Sequence, residues 1–192
     1  MFRSEWKYTY LSTVKEVRFR GLKGRTSNRR KEIVELARSR FTSNGYEGTS
    51  IGELASQLGI SKAAIAYYFP TKDTFLEEFV GPFLDQLESR VESAESGEDA
   101  LSSYLRTLIE YQDVAVWMDT DPALQTHETH GGRLARINER LIDRVAVGES
   151  DVDRVAAVSA MGGIWRPVRE FSSDELEEHF DEVLAVALAG VG

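Results

Sequence analysis

The 192-residue chain contains no cysteine. That excludes a disulfide scaffold, a thiolate metal site and a cysteine nucleophile, and it fits a reducing compartment. Proline is scarce at 4 residues, and 15 glycines are too few for a collagen-like repeat. No apolar run approaches the roughly 18 residues of a membrane span. The basic N-terminus is not followed by an apolar h-region, so a secretory signal is not expected and the default location is the cytoplasm. Strand-like alternation and hairpin signals are also missing. What is present is 42% hydrophobic and 29% charged residues, enough apolar content to exclude a disordered chain. The length allows one or two domains with a sizeable core.

Charge is unevenly spread. Residues 1–75 carry 14 Lys and Arg against 7 Asp and Glu, a balance of +7. Residues 76–192 carry 9 against 25, a balance of −16. A basic end can approach phosphate while an acidic body limits nonspecific adhesion. The alternative is that the acidic helices are simply solvated faces.

Residues 1–28 form a basic extension, and Gly21, Gly24, Thr26, Ser27 and Asn28 mark a flexible joint at its end. From Arg30 the period turns helical, with Ile33, Val34, Ala37 and Phe41 on one face. Gly45 ends that helix in the left-handed region. Ser50 and Glu53 make a capping box for the next helix, whose stripe is Ile51, Leu54, Ala55 and Leu58. Gly59 closes it. Ser61 caps a short third helix that Pro70 stops. Beyond it the pattern predicts a helix from Lys72 to about Glu95, interrupted or adjusted near Gly81-Pro82. Further helices are expected from Asp99 to about Met118, over 122–128, over 133–147 after a Gly131-Gly132 break, over 151–170 capped by Ser150, and over 174–189 capped by Ser173. The class is all-α.

Residues 51–70 have the spacing of a helix-turn-helix. Ala55 permits close helix approach, Gly59 sits in the turn, and Ile65 anchors the second helix. On a wheel of about 100° per residue, Ile65 and Phe69 point inward while Ala63 and Tyr67 point away, flanked by Lys62, Ala64 and Ala66. Small residues let a helix lie deep in a major groove, and a phenol and an ammonium bond phosphate oxygens without reading sequence.

Residues 30–75 resemble the DNA-binding domain of the tetracycline-repressor (TetR) family. The matching elements are Ile33, Ala37, Phe41, Gly45-Tyr46, Thr49-Ser50-Ile51, Leu54-Ala55, Leu58-Gly59-Ile60-Ser61, Tyr68-Phe69 and Lys72-Asp73, without gaps. The resemblance implies a helix-turn-helix DNA-binding domain over 29–75 and a helical ligand-binding and dimerisation domain over 76–192. It implies a homodimeric transcription regulator, a repressor released from a double-stranded DNA operator by a small-molecule effector. The DNA contacts it implies are Thr49, Ser50, Ser61, Lys62, Ala63, Tyr67, Tyr68 and Lys72. Ala66 departs from the tyrosine most often found in the family at that position. With Ala63 it leaves few groups for direct base reading, so thymine-methyl contact and DNA shape gain weight. Phe69 is expected in the core, Tyr68 in either role.

In the C-terminal part, Tyr104, Tyr111, Trp117, Met118, Met161 and Trp165 are candidate ligand-pocket residues, although aromatics at helical spacing are usually core. Arg133 and Arg166 are expected in surface ion pairs. His127, Glu128 and His130 form an H-E-x-H run, expected as a solvated loop and not as a metal site. Met161-Gly162-Gly163 inside a helix suggests close helix approach, and the homodimer is expected through residues about 151–189. No cofactor, metal or membrane partner is implied, and no catalytic residues are assigned. The motifs of common hydrolases and phosphate-loop enzymes are missing. An activator, an enzyme carrying a helix-turn-helix and a helical interaction module remain the competing readings.

Overall fold

The computed structural model describes residues 28–191; the basic extension over 1–27 and the last residue lie outside the described residues. Every regular element among the described residues is helical. The chain groups into two units, one of residues 28–40 and 49–75, the other of 41–48 and 76–191. Residues 41–48, inside the expected first domain, thus group with the second unit.

The first unit is built on residues 28–40 of α1 (28–44), on α2 (Ile51–Gln57) and on α3 (Lys62–Tyr68). Of the side chains expected inside, Ile33, Ala37, Leu54, Ala55, Ile65 and Phe69 are buried, while Val34, Ile51 and Leu58 are only half-buried. Phe69 stacks on Phe75 with ring centroids 4.2 Å apart. The ends of the helices follow local chemistry. Ser50 and Glu53 close a capping box at the start of α2. At its end Gly59 has φ 63°; its N–H bonds the Ser56 carbonyl at 3.2 Å and the Ile60 N–H bonds that of Ala55 at 3.0 Å. That is a Schellman turn, the left-handed closure glycine makes without strain. The Ser61 hydroxyl then accepts from Ala64 N–H at 3.1 Å and starts α3.

The second unit contains most of α4 (Asp73–Ser93), then α5 (Gly97–Glu110), α6 (Gln112–Thr120), α7 (Pro122–Gln125), α8 (His130–Val145), α9 (Asp151–Glu170), α10 (Ser173–Glu178) and α11 (Phe180–Leu188). Several boundaries differ from the sequence expectation. The helix α4 runs through Pro82 unbroken. A mid-helix proline costs about 3 kcal/mol. The burial of Phe79, Val80, Phe83, Leu84 and Leu87 around it offsets that, at about 1.5–3 kcal/mol for each side chain. The cap of α5 is Ser96, whose hydroxyl accepts from Asp99 N–H at 3.1 Å, so the helix begins before Asp99. Gly97 opens it because a Cβ there would lie 2.6 Å from the Arg144 carbonyl oxygen.

The single helix expected to Met118 is split at Tyr111, which has φ −119° and ψ 32°. Beyond the split the Gln112 amide donates to the carbonyls of Val168 at 2.8 Å and Phe171 at 2.6 Å, ending α9. Gly131 and Gly132 do not break the chain; both lie in α8, and a Cβ on Gly131 would lie 2.5 Å from the Leu124 carbonyl oxygen. The last expected helix is two, divided at His179, and its cap is Ser172, in a capping box with Glu175, not Ser173.

Arginines tie α8 to α4. Arg133 pairs with Asp85 at 2.8 Å and Glu88 at 2.6 Å, and Arg140 with Glu88 at 2.8 Å. The Arg133 hydrogen bond, together with Arg140, holds the Glu88 carboxyl below the usual carboxylate range against the effect of burial. Arg166 pairs with Glu170 at 3.0 Å. The H-E-x-H run is not a solvated loop throughout: His130 is buried in the first turn of α8, with Nε2 3.5 Å from Glu77 Oε1. Among the described residues no group of three or more His, Asp or Glu is placed to hold a metal ion. Also among them, no helix is long and apolar enough to cross a membrane.

Candidate nucleic-acid interface

The short α3 helix carries its apolar anchor on one side and a polar face on the other. Ile65 is inaccessible, while Ser61, Lys62, Ala63, Ala66 and Tyr67 are exposed. Tyr67 is 79% exposed, the most open large hydrophobic side chain among the described residues. Its ring meets Tyr68 edge-on, with centroids 5.0 Å apart and planes at 86°. Tyr68 is half-buried, so it has both a packing side and an accessible side. Behind the face, the Arg30 guanidinium lies 5.1 Å over the Phe69 ring and brings the first turn of α1 against the end of α3.

From α2, Ser50 is exposed, with its hydroxyl accepting from Glu53 N–H at 3.1 Å. Lys72 is half-buried just before α4. Thr49 departs from the expected set. It is 2% exposed, and its hydroxyl donates to the Arg40 carbonyl at 3.0 Å. A buried hydroxyl already bonded inside the unit joins α1 to the start of α2; its side chain is not part of the accessible face. Gly52 was not singled out from sequence, because the side chain it makes room for, Lys62, belongs to the next helix. An ideal Cβ on it would lie 2.6 Å from Lys62 Cε.

The six candidate ligand-pocket residues do not converge on one place. Tyr104 and Trp165 meet, with ring centroids 6.4 Å apart. The fully buried Tyr104 hydroxyl donates to Asn138 Oδ1 at 2.9 Å and accepts from Trp165 Nε1 at 3.1 Å. Burial pushes its ionisation well above the ordinary tyrosine range. Trp117 turns elsewhere, stacking on Phe41 at 5.8 Å and donating to Asp121 Oδ2 at 2.8 Å. Tyr111 packs on Phe83 and donates to Gln86 Oε1 at 3.0 Å. Met118 is buried, and Met161 is half-buried on α9. Of the glycine pair, Gly163 faces Ala187, whose Cα would lie 3.8 Å from its Cβ, while Gly162 opens on nothing within 4 Å. Valines stand exposed on α9 and α11: Val152 is 77% exposed, Val155 64% and Val186 76%.

Comparison with known proteins agrees with this geometry. Residues 33–79 match the sequence profile of bacterial regulatory proteins of the tetR family. The nucleoid occlusion factor SlmA of Vibrio atlanticus is 32% identical over 122 residues, 63% of this chain and 61% of that protein. The HTH-type transcriptional repressor KstR2 of Mycobacterium tuberculosis is 31% identical over 67 residues, 35% of this chain and 34% of that protein. The matches thus span about three-fifths and one-third of these relatives. The solved structure of KstR2, a ketosteroid transcriptional regulator, superposes with a TM-score of 0.60 at 20% identity, over 84% of this chain and 94% of that one. AibR, solved in complex with isovaleryl coenzyme A and operator DNA, superposes with a TM-score of 0.60 at 20% identity, over 82% and 97%. These superpositions establish the fold.

Proposed function

We propose, since the chain belongs to the tetR family of bacterial regulatory proteins, that it is a DNA-binding transcription regulator, a cytoplasmic repressor released from its operator by a small molecule. The observation that carries this reading is the α3 face: a short helix anchored by Ile65 and Phe69 that presents Ala63, Ala66 and Tyr67 outward beside Lys62. Alanines allow the helix backbone close to base edges, and Ser50, Ser61, Lys62, Tyr67, Tyr68 and Lys72 supply donors for phosphate oxygens. Residues 29–75 form the DNA-binding domain in this reading, and 76–192 the ligand-binding and dimerisation domain.

The functional unit is a homodimer through residues about 151–189. Its support is the exposed valines on α9 and α11, apolar side chains of the kind a second copy covers. A two-fold dimer offers two α3 helices to two half-sites one helical turn apart. An effector that binds a form with the wrong half-site separation shifts the population away from DNA. AibR, of similar fold, was solved with both an acyl coenzyme A and operator DNA, which makes an organic effector the natural class to screen. Tyr104, Tyr111, Trp117, Met118, Met161 and Trp165 are its candidate contacts.

Fluorescence anisotropy with duplex DNA from the region upstream of the coding sequence tests the reading. Binding should weaken steeply with salt, log K falling by about 0.9 per log unit of salt for each phosphate neutralised. Tyr67→Ala and Lys72→Ala should weaken all duplexes alike. Absent or salt-independent binding refutes the reading, and a loss confined to one base position refutes the phosphate role of these two residues.

A further inference from the structure

Gly52 sits in the first turn of α2, where glycine is the poorest helix former after proline. Its backbone does not require glycine, since among the described residues the positive-φ glycines are Gly45 and Gly59. What its missing side chain provides is room. A Cβ at position 52 would lie 2.6 Å from Lys62 Cε, 2.9 Å from Lys62 Nζ and 3.7 Å from Ser50 Oγ. The Lys62 stem therefore lies across the bare backbone of the neighbouring helix. Its ammonium and the Ser50 hydroxyl, from two different helices, come within 4 Å of one point.

Resting on the reading that this face binds DNA, we propose that Gly52 is a positioning residue for the contact between Lys62 and a DNA phosphate. Gly52, Lys62 and Ser50 together form one phosphate seat joining α2 to α3. The chemistry suits an anion. The ammonium has three donors and no acceptor, and the Ser50 hydroxyl keeps its own proton to donate while accepting from Glu53 N–H at 3.1 Å. The Glu53 carboxylate accepts from the Ser50 N–H at 3.1 Å. A lysine on an open surface loses much rotamer freedom when it grips a phosphate, and one laid in a groove beforehand loses less. The seat reads no base, so it sets register and affinity and leaves sequence preference unchanged.

The arrangement makes two effects of one substitution run in opposite directions. Alanine at position 52 is the better helix former, so Gly52→Ala leaves the fold as stable or more so. The same methyl group displaces the ammonium. The test uses the full-length protein, the upstream duplex and a scrambled duplex, with Gly52→Ala, Lys62→Ala and the double variant titrated across potassium chloride concentrations. Gly52→Ala should keep or raise the Tm and weaken both duplexes by about tenfold, with a salt slope shallower by about 1 per protomer. The double variant should bind no worse than Lys62→Ala alone. Wild-type affinity and salt slope in Gly52→Ala, or losses that add in the double variant, overturn the proposal and leave the function standing. A lowered Tm in Gly52→Ala assigns the glycine to packing and overturns it too. Failure of the wild-type protein to bind either duplex removes the function and the seat together.

Discussion

Asp121 offers the most direct test of how the second unit is held. Its Oδ2 accepts from Tyr46 N–H at 2.6 Å and Trp117 Nε1 at 2.8 Å, and its Oδ1 from Ala123 N–H at 2.9 Å. One carboxylate thus ties the 41–48 segment to α6 and to the first turn of α7. Asp121→Asn keeps the shape and removes one acceptor. If the amide oxygen takes the Oδ2 place, its NH2 faces the Ala123 N–H; if it turns over, the NH2 faces two donors. At least one N–H therefore loses its partner, and the remaining bonds lose their charge assistance. A hydrogen bond to a charged group contributes about 1.5–3 kcal/mol, and the partial exposure of this site favours the low end, so the expected loss is about 2 kcal/mol. In a chain of this size that corresponds to a Tm lower by about 4–8 °C.

The loss has a pH signature. Burial pushes the Asp121 carboxyl up, but the N–H groups of Tyr46, Trp117, Ala123 and Leu124 pull it down further, to a net value below the ordinary 3.8. A carboxyl depressed in the folded state stabilises fully above its unfolded value, and that stabilisation is lost as the pH falls through the folded value. Urea denaturation of the wild type and Asp121→Asn should therefore differ by a constant amount across neutral pH. The difference should shrink below pH 3.8. No difference at neutral pH, or a difference that persists undiminished to about pH 2, refutes the assignment of stability to the ionised carboxylate.

Ile65→Ala removes a side chain with no exposed surface and should destabilise by about 3 kcal/mol in urea denaturation; a change under about 1 kcal/mol would show that the anchor is not packed as described. Tyr104→Phe leaves Asn138 Oδ1 without its donor and Trp165 N–H without its acceptor, which should lower stability by about 1–3 kcal/mol by the same measurement. Val155→Glu puts a charge among the exposed valines of α9 and should convert the proposed dimer to monomer in sedimentation velocity. An unchanged dimer would move the interface elsewhere.

What was legible in the sequence is what short-range chemistry decides. Ser50 and Glu53 form the expected capping box, and Ser150 caps α9 as expected, with Asp153 completing a box there. Gly45 and Gly59 adopt the positive φ their places in the pattern imply. The inward Ile65 and outward Tyr67 follow from helical period alone. The misplaced boundaries depend on distant partners. The break at Tyr111 accompanies Gln112 bonding carbonyls more than fifty residues away. Gly131 reads as a helix breaker until α7 is seen to press its carbonyls against it. Of two neighbouring serines, Ser172 rather than Ser173 caps α10 because Glu175 answers it. In the candidate site, Thr49 failed as an exposed contact because the Arg40 carbonyl claims its hydroxyl. Gly52 carried no sequence signal, since its neighbour Lys62 belongs to another helix.

The mutual satisfaction of Tyr104, Asn138 and Trp165 has a thermodynamic corollary for anything that would enter between α5, α8 and α9. An incoming molecule competes with the protein's own phenol, amide and indole, and must wait for, or bring about, their separation. Its observed dissociation constant is then the intrinsic one divided by the fraction of molecules standing open. At an open population of about 1%, the apparent affinity drops by about a hundredfold. A core that closes on itself so completely acts as a threshold, answering abundant or very well-fitting molecules and ignoring traces.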